Sequence, residues 1–324
     1  MNTHNVKRNF NTKFEDIHKR VMQIASTENT YGVNADNYNT RDIIRRIGST
    51  GNYSDYGLTT MGRLVGFPAP FVQTVSETNP LLANTIIADR VHTHFEAGKS
   101  PFYVREFEGD ICGVVSDRYS FFDDKEVCDI LAGSTLAEKP FAHATVTPER
   151  LHLRAVDADR PFRVSGDESD LFFAYFIDNS MVGQSSFKVQ LGVYRLACTN
   201  GLIVGMKDYT LVKQIHRGNK DISTEFESAV AFLDEKRETI KEMICSLGVE
   251  EARIKEMSEE YKRTYLAKEL NLSKKETEKV LTLYTETYGG RTKWDLVSAI
   301  TEFARDTGNL DRREYLEKKA LKVA

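Results

Sequence analysis

Apolar and polar positions along this chain fall into three successive regimes. To about residue 99 the apolar positions recur with a helical period. In "FEDIHKRVMQIA", Phe14, Ile17, Val21 and Ile24 form one stripe. "NADNYNTRDIIRRIG" predicts a second helix with Thr40 as cap and Gly48 as stop. "LTTMGRLVGFPAPFVQTVSE" predicts helix, turn, helix, with Thr59 or Thr60 capping the first and "GFPAP" breaking it. "NPLLANTIIADRVHTHFEA" predicts a longer helix opened by Asn79–Pro80.

At Ser100–Pro101 the period changes to two. "FYVREFEGDICGVVSDRYSFF" reads as a hairpin turning at "EGD", and "HATVTPERLHLRAV" as another turning at "TPER". "DDKEVCDILAG" between them is a short helix capped by Asp123 or Asp124 and stopped at Gly133. "SDLFFAYFIDNS" and "SFKVQLGVYRLACTNGLIV" add two β-rich runs. From Ser223, a cap followed by a long periodic run ending before Gly248, the chain returns to helix. "GVEEARIKEMSEEYKRTYLAKELN" and "SKKETEKVLTLYTETYGG" continue it, and "TKWDLVSAITEFARDTG" is its last strongly amphipathic segment. The expected fold is α+β: helical 1–99, a central antiparallel sheet with one inserted helix over 100–221, and helical 222–324. In the last amphipathic helix Trp294, Leu296, Val297, Ile300 and Phe303 share a face, so Trp294 is expected to anchor that helix in the core.

Composition narrows the partners. The chain has 324 residues and a net charge of −4, so any contact with nucleic acid must be a local patch. No apolar run is long enough to span a bilayer, and the first residues lack a signal-peptide core. Cys112, Cys128, Cys198 and Cys245 are scattered without a CxxC pair. A cytoplasmic protein with reduced thiols, no membrane association and no cofactor is the expectation.

The candidate chemistry lies mostly around "YRLACTNGLIVG", residues 194–205. Cys198 with His216 as base lacks a nucleophile elbow, and an apolar run usually makes a thiol inert. His92 and His94, on a helix, point apart and lack a third metal ligand. Asp123–Asp124, Asp157 and Asp159 sit where Asp serves as a cap, and no phosphate loop occurs. From Lys207 to Lys220 the segment carries four cations, Lys207, Lys213, Arg217 and Lys220, against Asp208, and His216 besides. "NSMVGQSS" upstream supplies Gln184 and Ser185 as donors. Such a cluster suits phosphodiester contact, and equally a solvated loop. On a strand Tyr194, Leu196 and Cys198 share one face and Arg195 and Ala197 the other. Arg195 then contacts a phosphate, or locks the sheet by pairing with Asp178 or Asp117.

Together "FYVREFEGDICGVVSDRYSFFDDKEVCDIL", "NSMVGQSSFKVQLGVYRLACTNGL", "IHRG" and "WDLVSAITEFA" resemble, in that order, a phage- and plasmid-borne family, domain-of-unknown-function family 932. Arg118, Tyr119, Asn179, Ser180, Gly183, Arg195, Cys198, Asn200, His216 and Trp294 fall on its motif positions, over roughly residues 56–305. The turn reads "NSMVGQ" where members often have an acidic residue before the Gly, and the last helix reads "VSAITEF" for "NAvTEY". The resemblance implies work on mobile DNA or against host defence. A looser similarity in outline links the fold to single-strand annealing recombinases. The leading expectation is a non-enzymatic protein that binds single-stranded DNA in annealing or recombination. Arg195, Lys207, Lys213, His216 and Arg217 would then neutralise phosphates, Asn200, Gln184 and Ser185 donate hydrogen bonds, Tyr119 offers a stacking face and Arg118 adds charge beside it. A homo-oligomeric ring or filament would repeat the site, and host recombination or defence proteins would be partners. The alternative is an anti-defence or regulatory protein that captures a host protein or small nucleotide.

Overall fold

Two antiparallel sheets, rather than one, organise the chain. The computed structural model describes residues 12–49, 52–195, 200–203, 210–214 and 222–324. The first half carries α1 (Phe14–Ala25), β1 (Asn29–Val33), α2 (Arg41–Ile47), α3 (Asp55–Val65), α4 (Ala69–Thr78) and α5 (Pro80–Glu96). It continues with β2 (Phe102–Phe107), β3 (Asp110–Ser116) and α6 (Asp124–Ala132). The large sheet is built from β4 (Phe141–Val146), β5 (Leu151–Val156), β6 (Leu171–Asn179), β7 (Phe187–Arg195), β8 (Asn200–Ile203) and β9 (Thr210–Gln214). Helices α7 (Ile222–Ser246), α8 (Glu259–Leu270), α9 (Lys274–Thr282), α10 (Lys293–Arg305) and α11 (Leu310–Val323) follow. A π-helical turn, Leu283–Thr287, lies between α9 and α10.

The small sheet has the order β1-β2-β3. Its turn puts Glu108 and Gly109 at positive φ, as "EGD" requires. Phe102, Val104, Ile111 and Val114 pack with Val33, Met61, Val65, Ile87 and Val91, so α2–α5 cover one face. Arg105, fully buried, points elsewhere. Its guanidinium engages both oxygens of Asp123 (2.6 and 2.8 Å), Glu28, the Met181 carbonyl and, through Nε, Thr30 at 3.2 Å. All five N–H donors are thereby used. The small sheet is thus tied to the β6–β7 turn and to the start of α6.

In the large sheet β4-β5-β6-β7-β8 run in order and β9 also pairs with β7. Side chains alternate, so each strand feeds two layers. Odd positions such as Leu153, Phe173, Tyr175, Val189 and Leu191 enter the main core with Trp294, Leu296 and Ile300 of α10 and Leu316 of α11. That core is continuous from the strands into the C-terminal helices. Even positions face a second buried layer: Phe172, Ala174, Phe176 and Tyr194 at one end, and His152, Arg154 and Asp178 at the other. All nine residues of β6 are buried for this reason.

Several local expectations are met. Asp123 and Glu126 form a capping box on α6, Asn79 caps α5 at 3.2 Å, and both hairpin turns fall where expected. Others need correction. Ser54, not Thr59 or Thr60, caps α3, because its Oγ accepts from Gly57 N at 3.1 Å. The N-terminal region is not all helix, since β1 lies in it and pairs with β2. "GVEEARIKEMSEEYKRTYLAKELN" is helical only from Glu259, α7 starts at Ile222, ahead of Ser223, and α11 follows the last expected helix.

Candidate functional site

A cleft of about 490 Å³ opens where α3, the end of β3 and the β6–β7 turn meet. Two distant motif segments build it, "GVVSDRY" (113–119) and "NSMVGQSS" (179–186). A Cβ added at Gly113 would overlap Val182, so only glycine lets the two segments close. Val182, just before Gly183, is buried in this contact. Gly183 sits at φ +81°, and a Cβ there would lie 3.3 Å from the Tyr119 ring. The Tyr119 hydroxyl donates to the Ser180 carbonyl at 3.1 Å, and burial raises its pKa. Ser180 Oγ accepts from Val182 N (3.3 Å) and Gln184 N (2.8 Å), which fixes the turn from within.

The cleft presents Ser116, Tyr56, Gln184, Ser185 and Ser186. Arg63, exposed and hydrogen-bonded to Tyr56, is the only charged residue among its described lining, and no carboxylate lines it. Ser185 Oγ is buried and has no hydrogen-bond partner among the described residues. Beside Tyr119, Phe121 is 43 % exposed and stands edge-on to both Tyr119 (5.4 Å) and Tyr103 (5.5 Å). Arg118 is exposed. The arrangement can hold an anion with hydroxyl and guanidinium donors and stack an aromatic group at its edge.

Arg195 lies elsewhere. Its odd register turns it toward α10, where it pairs with Asp167 at 2.9 Å, donates to the Tyr288 hydroxyl at 3.0 Å and lies over that ring. The Trp294 indole donates to Asp167 Oδ2 at 2.8 Å, and Tyr288 donates to Glu302. Burial opposes it, yet the Trp294 and Ser169 hydrogen bonds and the Arg195 charge hold the Asp167 carboxyl below its usual range. Of the two alternatives for Arg195 the geometry shows an ion pair, with Asp167 rather than Asp178 or Asp117 as partner. A hollow of about 810 Å³ adjoins this pair, but Asp167, Glu168, Asp295 and Glu302 outnumber Arg195 and Arg291 there. That balance repels a phosphate.

The even face of β5 and β6 holds a third cluster, absent from the sequence expectations. His152 Nδ1 lies 2.6 Å from Asp178 Oδ1 and 3.3 Å from Glu314 of α11. Arg154 donates to His152 Nε2 (3.2 Å) and to Glu317 (2.8 Å), and Arg150 donates to Glu314 (2.7 Å) and to Asp311. Burial raises the Glu314 pKa, but the His152 hydrogen bond and the charges of Lys318, His152 and Arg150 outweigh it and hold this carboxyl low. The ligating atoms of His152, Asp178 and Glu314 lie within 4.8 Å of one another, a spacing a metal could use. Arg150 and Arg154 supply countercharge to Asp178, Glu314 and Glu317, so the cluster reads as an ion-pair network.

Among the described residues the expected ligand Arg195 lies at a different place from Gln184, Ser185 and Tyr119. Gln184, Ser185 and Tyr119 share the cleft. Asn200 pairs with Arg195 across β7 and β8, and Lys213 with Lys188 across β7 and β9. Lys207, His216, Arg217 and Cys198 lie outside the described residues. His92 is exposed and His94 bonds the Ser100 carbonyl at 2.9 Å. Asp157 is paired with Lys139 and Arg237. The sequence reading missed Arg63, Tyr56 and Phe121. An exposed aromatic after a hairpin was a legible signal for Phe121, whereas nothing local marked Arg63 or Tyr56.

The family model described as "Domain of unknown function (DUF932)" matches residues 111–322. No curated protein matches the chain. No solved structure matches it either.

Proposed function

The chain belongs to the DUF932 family, and on that premise we propose that it binds single-stranded nucleic acid at the cleft between "GVVSDRY" and "NSMVGQSS", in strand annealing or recombination. One observation carries this reading: the cleft joins a lone cation and hydroxyl donors, with no carboxylate, to an exposed aromatic ring at its edge. A phosphate accepts from Arg63, Ser116 and Ser185, and a base stacks on Phe121, a combination tolerant of sequence. Arg118, exposed and next to Tyr119 in the chain, adds a second cation. Arg195 is not needed as a ligand.

A salt titration with single- and double-stranded oligonucleotides tests this. Single strands are expected to bind tighter, with affinity falling steeply as salt rises. Arg63→Ala should flatten the salt slope by about one unit without changing the melting curve. Phe121→Ala should weaken binding by about 1–3 kcal/mol at every salt concentration. Absence of single-strand binding at low salt would overturn the reading. It would favour capture of a protein, for which Phe71, Leu81 and Leu82, 54 %, 78 % and 48 % exposed on the α4–α5 hairpin, offer an apolar surface.

A further inference from the structure

Directly behind the cleft, the first residue of α6 and the last of β6 form a buried polar pair. Asp124 is 1 % exposed and Asn179 is fully buried. Asn179 Nδ2 donates to Asp124 Oδ1 at 2.8 Å and to the Phe122 carbonyl at 3.1 Å. These two acceptors fix the orientation of the amide, because the flipped form would set its oxygen against both of them. Two acceptors remain. Asp124 Oδ2 and Asn179 Oδ1 are both buried, and no donor reaches either among the described residues. Two orphaned acceptors on one hydrogen-bonded pair lack a donor, and an ionised carboxylate cannot supply it.

We propose that Asp124 is carried as the neutral acid, with its proton on Oδ2 bridging to the Asn179 amide oxygen, and that this proton anchors the turn lining the cleft. The surrounding charges support the neutral form. Arg105 on β2 is a cation acting on Asp124, but its five donors are taken, and Asp123 and Glu28 already balance its charge. Glu126 on α6 adds negative charge facing Asp124. Cys128, one turn on, is a thiol pushed up to about 12 by burial and by Asp124 and Asp129. Tyr119, from the segment after β3, keeps its proton. The amides at the start of α6 favour a negative charge there, and Asp123 already occupies them through its capping box. Burial, reinforced by Asp123 and Glu126 against Asn179 and Arg105, raises the Asp124 carboxyl to about 7. Asn179 leads directly into Ser180, whose carbonyl holds Tyr119 and whose hydroxyl holds Gln184, so the proton fixes the root of the turn. This inference stands on the pair itself and not on what the cleft binds.

The sign of the pH effect follows. The folded pKa lies above the unfolded one, so the contribution is fully present below the ordinary carboxylate pKa. It is lost as pH rises through about 7. Asp124→Asn keeps the shape, stays neutral and supplies its own N–H to Asn179. Urea unfolding of wild type and Asp124→Asn from pH 5 to 8 is the test. The wild-type folding constant, divided by that of Asp124→Asn, should fall by about tenfold per pH unit up to neutrality and then level off. A ratio independent of pH, or a variant much weaker than wild type at pH 8, would show an ionised carboxylate and overturn the proposal. Should Asp124→Asn fail to fold, a carbon-13 titration of wild-type Asp carboxyls decides. One resonance must move with a midpoint of about 7, and its absence overturns the proposal equally.

Discussion

Arg195 illustrates how one side chain's role is set by its register. Strand alternation sends it to the layer occupied by α10, where Asp167 and Tyr288 wait, and its place at the end of β7 keeps it away from Gln184 before that strand. Arg195→Ala leaves the Asp167 carboxylate half-paired in a buried setting and should cost about 3 kcal/mol, read as a lowered urea midpoint. An unchanged midpoint would mean that the pair is idle. Gly183 is the other decisive residue. At φ +81° and against the Tyr119 ring, Gly183→Ala should cost about 1–2 kcal/mol and displace Tyr119. Its tyrosine fluorescence and any oligonucleotide affinity should shift together, and a variant indistinguishable from wild type would remove the turn from the site.

Among the elements, α11 matters most for the second layer of the large sheet. It brings Glu314 and Glu317 onto β5, and Glu317 meets Arg154 with neither side chain exposed. Glu317→Gln strands a buried guanidinium and should destabilise by about 3–5 kcal/mol. Replacing both partners, Arg154→Met with Glu317→Leu, should recover most of that loss, since a buried pair and an apolar pair of similar volume are close in energy. Thermal unfolding of the three variants checks this, and additive losses in the double variant would refute it. Helix α10 is held by Trp294, which fills the main core and donates to Asp167. Trp294→Ala should cost about 3–5 kcal/mol.

At the scale of the molecule, charge and acidity separate the two hollows. The cleft has a cation and no carboxylate, whereas the hollow beside Arg195 has more acids than bases. Nucleic acid should therefore compete for Arg63 and leave the Arg195 pair untouched. Asp167 and Glu314 have folded pKa values below their unfolded ones, so their contribution is present above the ordinary carboxylate range and lost as pH falls through the folded values. The melting temperature should drop between pH 5 and pH 3. Asp167→Asn should reduce that drop while lowering stability at neutral pH, and an acid limb unaffected by the substitution would assign it to other groups.

The sequence alone determined most of the elements. Period, caps and turn residues are local, so α1, α5, α6 and both hairpins were legible, as was the burial of Trp294 on an apolar helical face. The same locality explains the failures. β1 is short and half-exposed and becomes a strand only because β2 offers its edge. α11 is so rich in charge that its apolar stripe, Leu316, Ala320 and Val323, is thin, and its glutamates are buried because Arg150 and Arg154, more than 150 positions earlier in the chain, stand opposite them. The motif residues could be singled out but not assigned to places. Gln184 and Ser185 were grouped with Arg195 because they share a stretch of chain, and β7 holds them apart, since they precede its first residue and Arg195 is its last. Which side chains meet depends on strand register and on the cover each face receives, and those are fixed by contacts between distant segments. Only the tertiary structure decided that Gly113 closes on Val182, that Arg63 joins the cleft, and that Asp124 is buried with one carboxylate oxygen left without a donor among the described residues.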